Sequence, residues 1–237
     1  MSTTETKLTQ AWNAAYGRRE NFVFYPCDEM VRFVSRHLRR RVGLNAVVDV
    51  QPGAAGQRVV DVGCGIGRNL AFGSDMGLEM HGNDLSAEAV KVAREWLLQK
   101  CGKDMSDRVV VASILSLPWE SGYFDHAISD SVLDSMPFDV AQGGVAEIAR
   151  LVKPGGYFYC SLISGDQTGH ESGYCDETLV TTDHEKNTIQ SYFNRTKIGS
   201  LIEPLFEILS CQLHQVHDPI TGEHFGRWHV VSRRSQW

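Results

Sequence analysis

The sequence has no CxxC pair: its six cysteines, Cys27, Cys64, Cys101, Cys160, Cys175 and Cys211, are scattered along 237 residues. That spacing excludes a disulfide framework and a zinc ribbon, leaves reduced packing cysteines, and gives no expectation of a bound metal. A basic excess is missing as well. With 29 Asp and Glu against 23 Lys and Arg, the formal charge is -6, which argues against a nucleic-acid polyanion as the partner. No apolar run approaches membrane-spanning length, and the opening "MSTTETKLTQ" lacks the apolar core of a signal peptide. The expected setting is cytoplasmic, with no nucleic acid and no membrane as partner. Repeats and low-complexity linkers are absent, so one domain is expected to hold residues 1–237.

What is present changes rhythm near residue 57. Before it, "TKLTQAWNAAYG" and "CDEMVRFVSRHLRRRVG" read as helices, the second spacing Met30, Val31, Phe33, Val34 and Leu38 along one face. Its basic run "RHLRRR" is expected to be a cationic last turn closed by Gly43, with a phosphate-binding patch as the alternative. Residues 1–55 are thus expected to form a helical N-terminal cap. After it, short apolar runs alternate with helix-length segments: "QRVVDVG", "LEMHGNDL", "RVVVASI", "FDHAISD" and "GYFYCSLIS" as strands, and "SAEAVKVAREWLLQKCG" as a helix with Ser86 as its N-cap. Such alternation builds a parallel sheet covered on both faces. The final "FEILSCQLHQV" and "GRWHVVSRR", joined by "DPITGEH", predict an antiparallel hairpin at one edge.

The chemistry is concentrated in "VVDVGCGIGRNL", residues 59–70. A glycine-rich turn from strand to helix lets backbone amides and a helix N-terminus reach a ligand, at the end of the sheet where open α/β folds bind one. A dinucleotide loop needs GxGxxG. Here the pattern is Asp61-x-Gly63-x-Gly65-x-Gly67, and Arg68 stands where the last glycine of GxGxxG would be. Asp84 ends the second strand, where a carboxylate can accept hydrogen bonds from both ribose hydroxyls of an adenosine-bearing cofactor.

From about residue 57 onward the chain resembles the class I S-adenosylmethionine-dependent methyltransferases. The glycine segment is similar to their first motif, "MHGNDLS" to the second, "VVVASILSLPW" to the third, "FDHAISDSVLDSM" to the fourth, and "EIARLVKPGGYFYCSLIS" to the helix, turn and strand that follow. The resemblance implies a Rossmann-like seven-stranded α/β sheet of order 3-2-1-4-5-7-6 with its last strand antiparallel, flanked by helices, and a cofactor-binding core over 56–237. It implies S-adenosyl-L-methionine as cofactor, with S-adenosyl-L-homocysteine as product. The residues it points to are Asp61, Gly63, Cys64, Gly65, Gly67, Arg68, Asn69, Asp84, Leu85, Ser113, Ile114, Leu115, Asp130 and Ser131. Ser113 departs from the family pattern, which has an acid near the adenine amine; a hydroxyl there bonds the amine more weakly. Arg68 either pairs with the cofactor's carboxylate or lies on the helix surface. Among the aromatics of the cap, which either pack it down or face the sulfonium, Tyr25 is singled out because Pro26 holds it at a turn.

Catalytic candidates are Asp130, where cofactor and substrate of the family meet, Asp134 one turn on, and His170 in the polar segment after the fifth strand, with His184 a lesser candidate there. Each has a plain structural alternative: an acid bonding backbone, a solvent-facing acid, a surface histidine. Strand four is followed by "SDSV" with no proline pair, unlike the DNA amino-methylating branch, and Cys160 and Cys175 come too late for a base-carbon nucleophile. The remaining expectation is a small-molecule acceptor methylated on oxygen or nitrogen by a monomer or homodimer. A catalytically silent S-adenosylmethionine-binding protein is the alternative.

Overall fold

The structure, a computed structural model, describes residues 3–102 and 104–236. Two helices, α1 (Thr3–Gly17) and α2 (Asp28–His37), precede a small hairpin of β1 (Arg39–Gly43) and β2 (Ala46–Asp49). The core then runs β3 (Arg58–Val62), α3 (Arg68–Asp75), β4 (Glu79–Asp84), α4 (Ala87–Cys101), β5 (Val109–Val111), β6 (His126–Asp130), α5 (Phe138–Leu151) and β7 (Tyr157–Ile163). A second small hairpin, β8 (Glu177–Leu179) with β9 (Ile189–Ser191), is followed by α6 (Arg195–Ile202), β10 (Phe206–His217) and β11 (His224–Arg234).

The main sheet has seven strands in the order β10-β11-β7-β6-β3-β4-β5. Pairs among β7, β6, β3, β4 and β5 are parallel, while β11 runs antiparallel to both β7 and β10. Counted within this sheet, the order is the expected 3-2-1-4-5-7-6. Side-chain alternation divides the core between its faces. Val60, Val62, Phe158 and Leu162 pack with Val145 and Ile148 of α5, whereas Val59, Ile128 and Tyr159 pack with Phe33 of α2 and Leu97 of α4. Full burial of a side chain such as Phe158 is worth roughly 1.5–3 kcal/mol.

The cap is not wholly helical. α2 stops at His37, and the arginines expected in its last turn form β1, paired with β2 from Arg39↔Asp49 to Gly43↔Ala46. Their guanidinium groups explain the difference. Arg39 Nε donates to Asp49 Oδ1 at 2.8 Å and its Nη1 to the carbonyl of Met76 at 2.6 Å, while Arg41 Nη2 reaches the carbonyl of Asp75 at 3.2 Å. Asp75 and Met76 end α3, so the basic run serves the open carbonyls of another helix. Ser86 does cap α4, its Oγ accepting the Ala89 amide at 3.2 Å.

The order of strands reverses at β3: β4 and β5 follow on one side and β6 on the other. Ligands in open α/β sheets bind beyond the carboxyl ends of strands at such a switch. Here that place holds the glycine turn after β3 and the Asp130–Ser131 turn after β6.

Candidate functional site

Past Val62 the chain turns three times through left-handed backbone, with φ of 75° at Gly63, 54° at Gly65 and 87° at Gly67. The neighbours of the first two face a cavity. A methyl group at Gly63 would meet the Val132 side chain, and one at Gly65 would lie 2.7 Å from Tyr16 Oη. Gly67 instead backs onto Ala93 and Leu97 of α4 and does not line the cavity, a helix-packing role in place of the ligand contact expected from sequence. The turn delivers the N-terminus of α3, whose first amides have no side-chain cap, to the cavity edge.

Asp84 fixes the turn from the neighbouring strand. Its Oδ2 accepts the Gly65 amide at 2.9 Å and its Oδ1 the Ser86 amide at 2.8 Å. Burial raises its pKa to about 6, with the bonds from Ser86, Gly65 and Leu85 opposing. Each carboxylate oxygen keeps a further lone pair for a hydroxyl. Asp61, beneath the turn, is pushed up to about 7 by burial, then by the charge of Asp130. Asp61 lies behind the cavity wall, where its Oδ1 accepts Asn69 Nδ2 at 3.5 Å.

The cavity measures about 230 Å³. Of the residues singled out from sequence, Gly63, Cys64, Gly65, Arg68, Asn69, Asp84, Leu85, Ser113, Ile114, Leu115, Asp130 and Ser131 all line it. Ser113 Oγ already accepts the Leu115 amide at 3.2 Å, which leaves its proton free to donate. Asn69 and Asn83 belong to the same wall, and among the described residues their buried Oδ1 atoms have no hydrogen-bond partner. Buried acceptors of this kind are costly unless something donates to them.

The acids proposed for catalysis are engaged elsewhere. Asp130 holds Arg68 Nη2 on Oδ2 at 2.8 Å and accepts Ser161 Oγ on Oδ1 at 2.6 Å. The two charged residues expected to meet the cofactor and substrate separately are therefore partners of one another. Ser131, at φ 62°, is pinned by its amide to the same Ser161 Oγ at 3.0 Å. Asp134 is 1% exposed and does not face the cavity; its Oδ2 takes the Ile163 amide at 2.7 Å and Arg227 Nη1 at 2.9 Å. Arg227, from the antiparallel edge, draws it inward. His170 also lies outside the cavity wall, tilted against Tyr174 and edge-on to Tyr192, with its Nδ1 3.2 Å from the Gly165 carbonyl. His184 is exposed and 3.7 Å from Glu185.

Tyr25 is 82% exposed and away from the cavity. The aromatic wall is made instead by Trp12 and Tyr16 of α1, with ring centroids 6.2 Å apart. Glu5, Leu8, Trp12 and Tyr16 recur along one helical face, the signal that could have chosen them. Burial, then the charge of Asp84, pushes the Tyr16 phenol well up, so it stays a donor. α1 is seated by Asn13, whose Oδ1 accepts Ser86 Oγ at 2.8 Å. Glu185 and Asn21 complete the wall, and sequence reasoning missed both, since the turn that carries Glu185 is remote in the chain. Among the described residues, no group of three His, Cys, Asp or Glu could hold a metal, and no helix is long and apolar enough to cross a membrane.

Residues 60–160 match the family model described as "Methyltransferase domain". Over that stretch the chain is similar to methyltransferases. Within curated proteins it is 36% identical over 117 residues to a ubiquinone biosynthesis O-methyltransferase of Thiobacillus denitrificans, covering 49% of each chain. The chain thus spans about half the length of the curated relatives it matches. Among solved structures, the fold resembles that of 1,6-didemethyltoxoflavin-N1-methyltransferase of Burkholderia thailandensis, with TM-score 0.68, 18% identity and coverage of 100% of this chain and 92% of that one. It also resembles magnesium protoporphyrin IX methyltransferase of Synechocystis PCC 6803, with TM-score 0.66, 13% identity and 99% of both chains covered.

Proposed function

We propose that this chain binds S-adenosyl-L-methionine and transfers its methyl group to an oxygen or nitrogen of a small-molecule acceptor. The observation that carries the reading is one cavity at the switch point, bounded by the glycine turn, Asp84 and the uncapped α3 N-terminus. The unpartnered oxygens of Asn69 and Asn83 fit a ligand rich in N–H and O–H donors. In this reading the chain is one domain, residues 1–55 capping the cofactor-binding core of 56–237.

Asp84 would hold the ribose, with Leu85, Ser113, Ile114 and Leu115 about the adenine. Gly63, Gly65, Asn69 and the α3 amides would take the methionine end, to which the Arg68–Asp130 pair presents both signs of charge. The bound cofactor supplies an activated methyl on a sulfonium. The protein's work is then alignment, which in favourable systems is worth on the order of 7–11 kcal/mol of barrier. Leu8, Trp12, Tyr16 and Val23 close the cavity and keep water from the reacting atoms. With Asp130 and Asp134 both ion-paired, no acid of the β6–α5 turn is free to act as a base.

Calorimetry with S-adenosylhomocysteine tests the reading, with a micromolar dissociation constant expected. No binding at ~1 mM, an affinity of only about 4 kcal/mol, would overturn it. Binding without methyl release across an acceptor panel would identify a silent binder.

A further inference from the structure

This inference rests on the reading that the cavity takes S-adenosylmethionine, and asks which acceptor shares it. Among the described residues, the cavity's charged lining is Glu5, Asp84, Asp130 and Glu185 with Arg68 as the one cation. Arg68 is already paired with Asp130, and Asp84, which accepts one backbone amide on each oxygen, gives its remaining lone pairs to the ribose in this reading. Glu185 is arranged differently. Its side chain is 23% exposed, and among the described residues its bonds run to one oxygen only. Oε1 accepts Asn21 Nδ2 at 2.9 Å, and His184 Nε2 lies 3.7 Å away, while Oε2 takes no partner. Its backbone amide is held by Glu20 Oε2 at 2.8 Å, so the turn between β8 and β9 is clasped to the segment after α1 at both main chain and side chain.

Apolar and aromatic surfaces share the cavity, Leu8, Trp12 and Tyr16 from α1 and Val23 from the connector, and the Glu185 charge reaches the Tyr16 phenol. Independently of the acids, the Tyr16 phenol, pushed well up by burial and then by the charge of Asp84, stays neutral in this wall, so the aromatic faces beside Glu185 carry no opposing charge of their own. A carboxylate or phosphate acceptor would meet Glu185, while Arg68 is already held by Asp130. An alcohol or phenol would gain no charge-assisted bond. A protonated amine gains one at Glu185 and a second attraction from the aromatic faces.

We propose that Glu185 determines acceptor choice, and that the acceptor is a basic amine carried on an apolar or aromatic body. Transfer to that nitrogen forms one N–C bond and breaks the carbon–sulfur bond, whose electron pair stays on sulfur. Before that attack one proton leaves the bound ammonium for the Glu185 carboxylate and passes to water, which frees the nitrogen pair that forms the bond.

The test uses the full chain saturated with S-adenosylhomocysteine, titrated by calorimetry with a series of arylalkylamines and with the alcohols of the same skeletons. The amines are expected to bind roughly 10- to 100-fold more tightly than the alcohols, the worth of a charge-assisted hydrogen bond. Glu185→Gln keeps an acceptor oxygen for Asn21 and the same backbone preference while removing the charge. It is expected to erase the amine preference and to leave S-adenosylhomocysteine affinity within about twofold, because among the described residues Glu185 bonds none of those assigned to the cofactor. Amines that bind no better than alcohols, neither series binding, or a preference that survives Glu185→Gln would each overturn the assignment. Those outcomes leave cofactor binding intact, whereas a chain that fails to bind S-adenosylhomocysteine fails at the earlier reading.

Discussion

Asp84 serves two masters, the backbone and the proposed ribose, and the two roles separate by measurement. Asp84→Ala leaves the Gly65 and Ser86 amides without their acceptor and removes the carboxylate from the cavity. Loss of a charge-assisted bond is worth about 1.5–3 kcal/mol, so S-adenosylhomocysteine affinity is expected to fall roughly 10- to 100-fold in calorimetry. An unchanged dissociation constant would remove Asp84 from the ribose assignment. Gly65 offers a second separation. Gly65→Ala adds a methyl at φ 54° and 2.7 Å from Tyr16 Oη, with the ring carbon behind it at 3.6 Å. A loss of about 1–3 kcal/mol is expected in denaturant unfolding, from backbone strain and the clash together. Adding Tyr16→Phe removes the clashing hydroxyl alone, so the double variant should recover part of the loss and keep the backbone part. Strict additivity of the two changes would show that the hydroxyl is not what limits the site.

At the scale of elements, the parallel strands and the edge hairpin were legible because both faces of each strand leave a periodic apolar record. "VVDVG" and "HGNDL" fixed the position of the turn, of Asp84 and of the switch point from local pattern alone. The β1–β2 hairpin left no such record. Arg39 and Arg41 stand in a strand because their guanidinium groups reach the end of α3, some 35 residues away in the chain, as the Arg39–Met76 and Arg41–Asp75 bonds show. Sequence offers only a cationic run there, and a helix end is the nearest local use for one. Tyr25 misled for a related reason: Pro26 shapes the local turn, but which aromatic faces the cavity depends on how α1 docks through Asn13 onto Ser86. Asp134 was chosen by its distance from Asp130 in sequence, and Arg227 from the last strand claims it instead.

For the molecule as a whole, buried ionisable groups set opposing pH trends. His126 accepts the Tyr157 amide on Nδ1 at 3.0 Å, so its Nε2 proton faces Gln57 Oε1, and burial holds its pKa to about 4. His229, bonded to Tyr159 Oη at 2.9 Å, is likewise brought down to about 4 by burial. The unfolded chain protonates these histidines first, so their contribution is complete above the ordinary value of 6.5 and is lost as pH falls toward 4. Asp61 works the other way. Raised from 3.8 to about 7, it binds its proton more tightly in the folded state, and stability declines as pH climbs through that window. Asp61→Asn should therefore raise the melting temperature at pH 8 relative to that at pH 5, compared with the same difference in the wild type. Thermal melts at the two values decide it, and equal differences would mean that Asp61 is ionised in the folded protein throughout.

The family match, residues 60–160, contains the glycine turn, Asp84, Ser113 and the Arg68–Asp130 pair, whereas Trp12, Tyr16, Asn21 and Glu185 all fall outside it. The cavity is thus assembled from an inherited half and a local half that meet only in three dimensions. Under the proposed function, α1 and the β8–β9 turn are grafts in the engineer's sense: segments whose exchange would re-address the acceptor while the residues assigned to the cofactor keep their places.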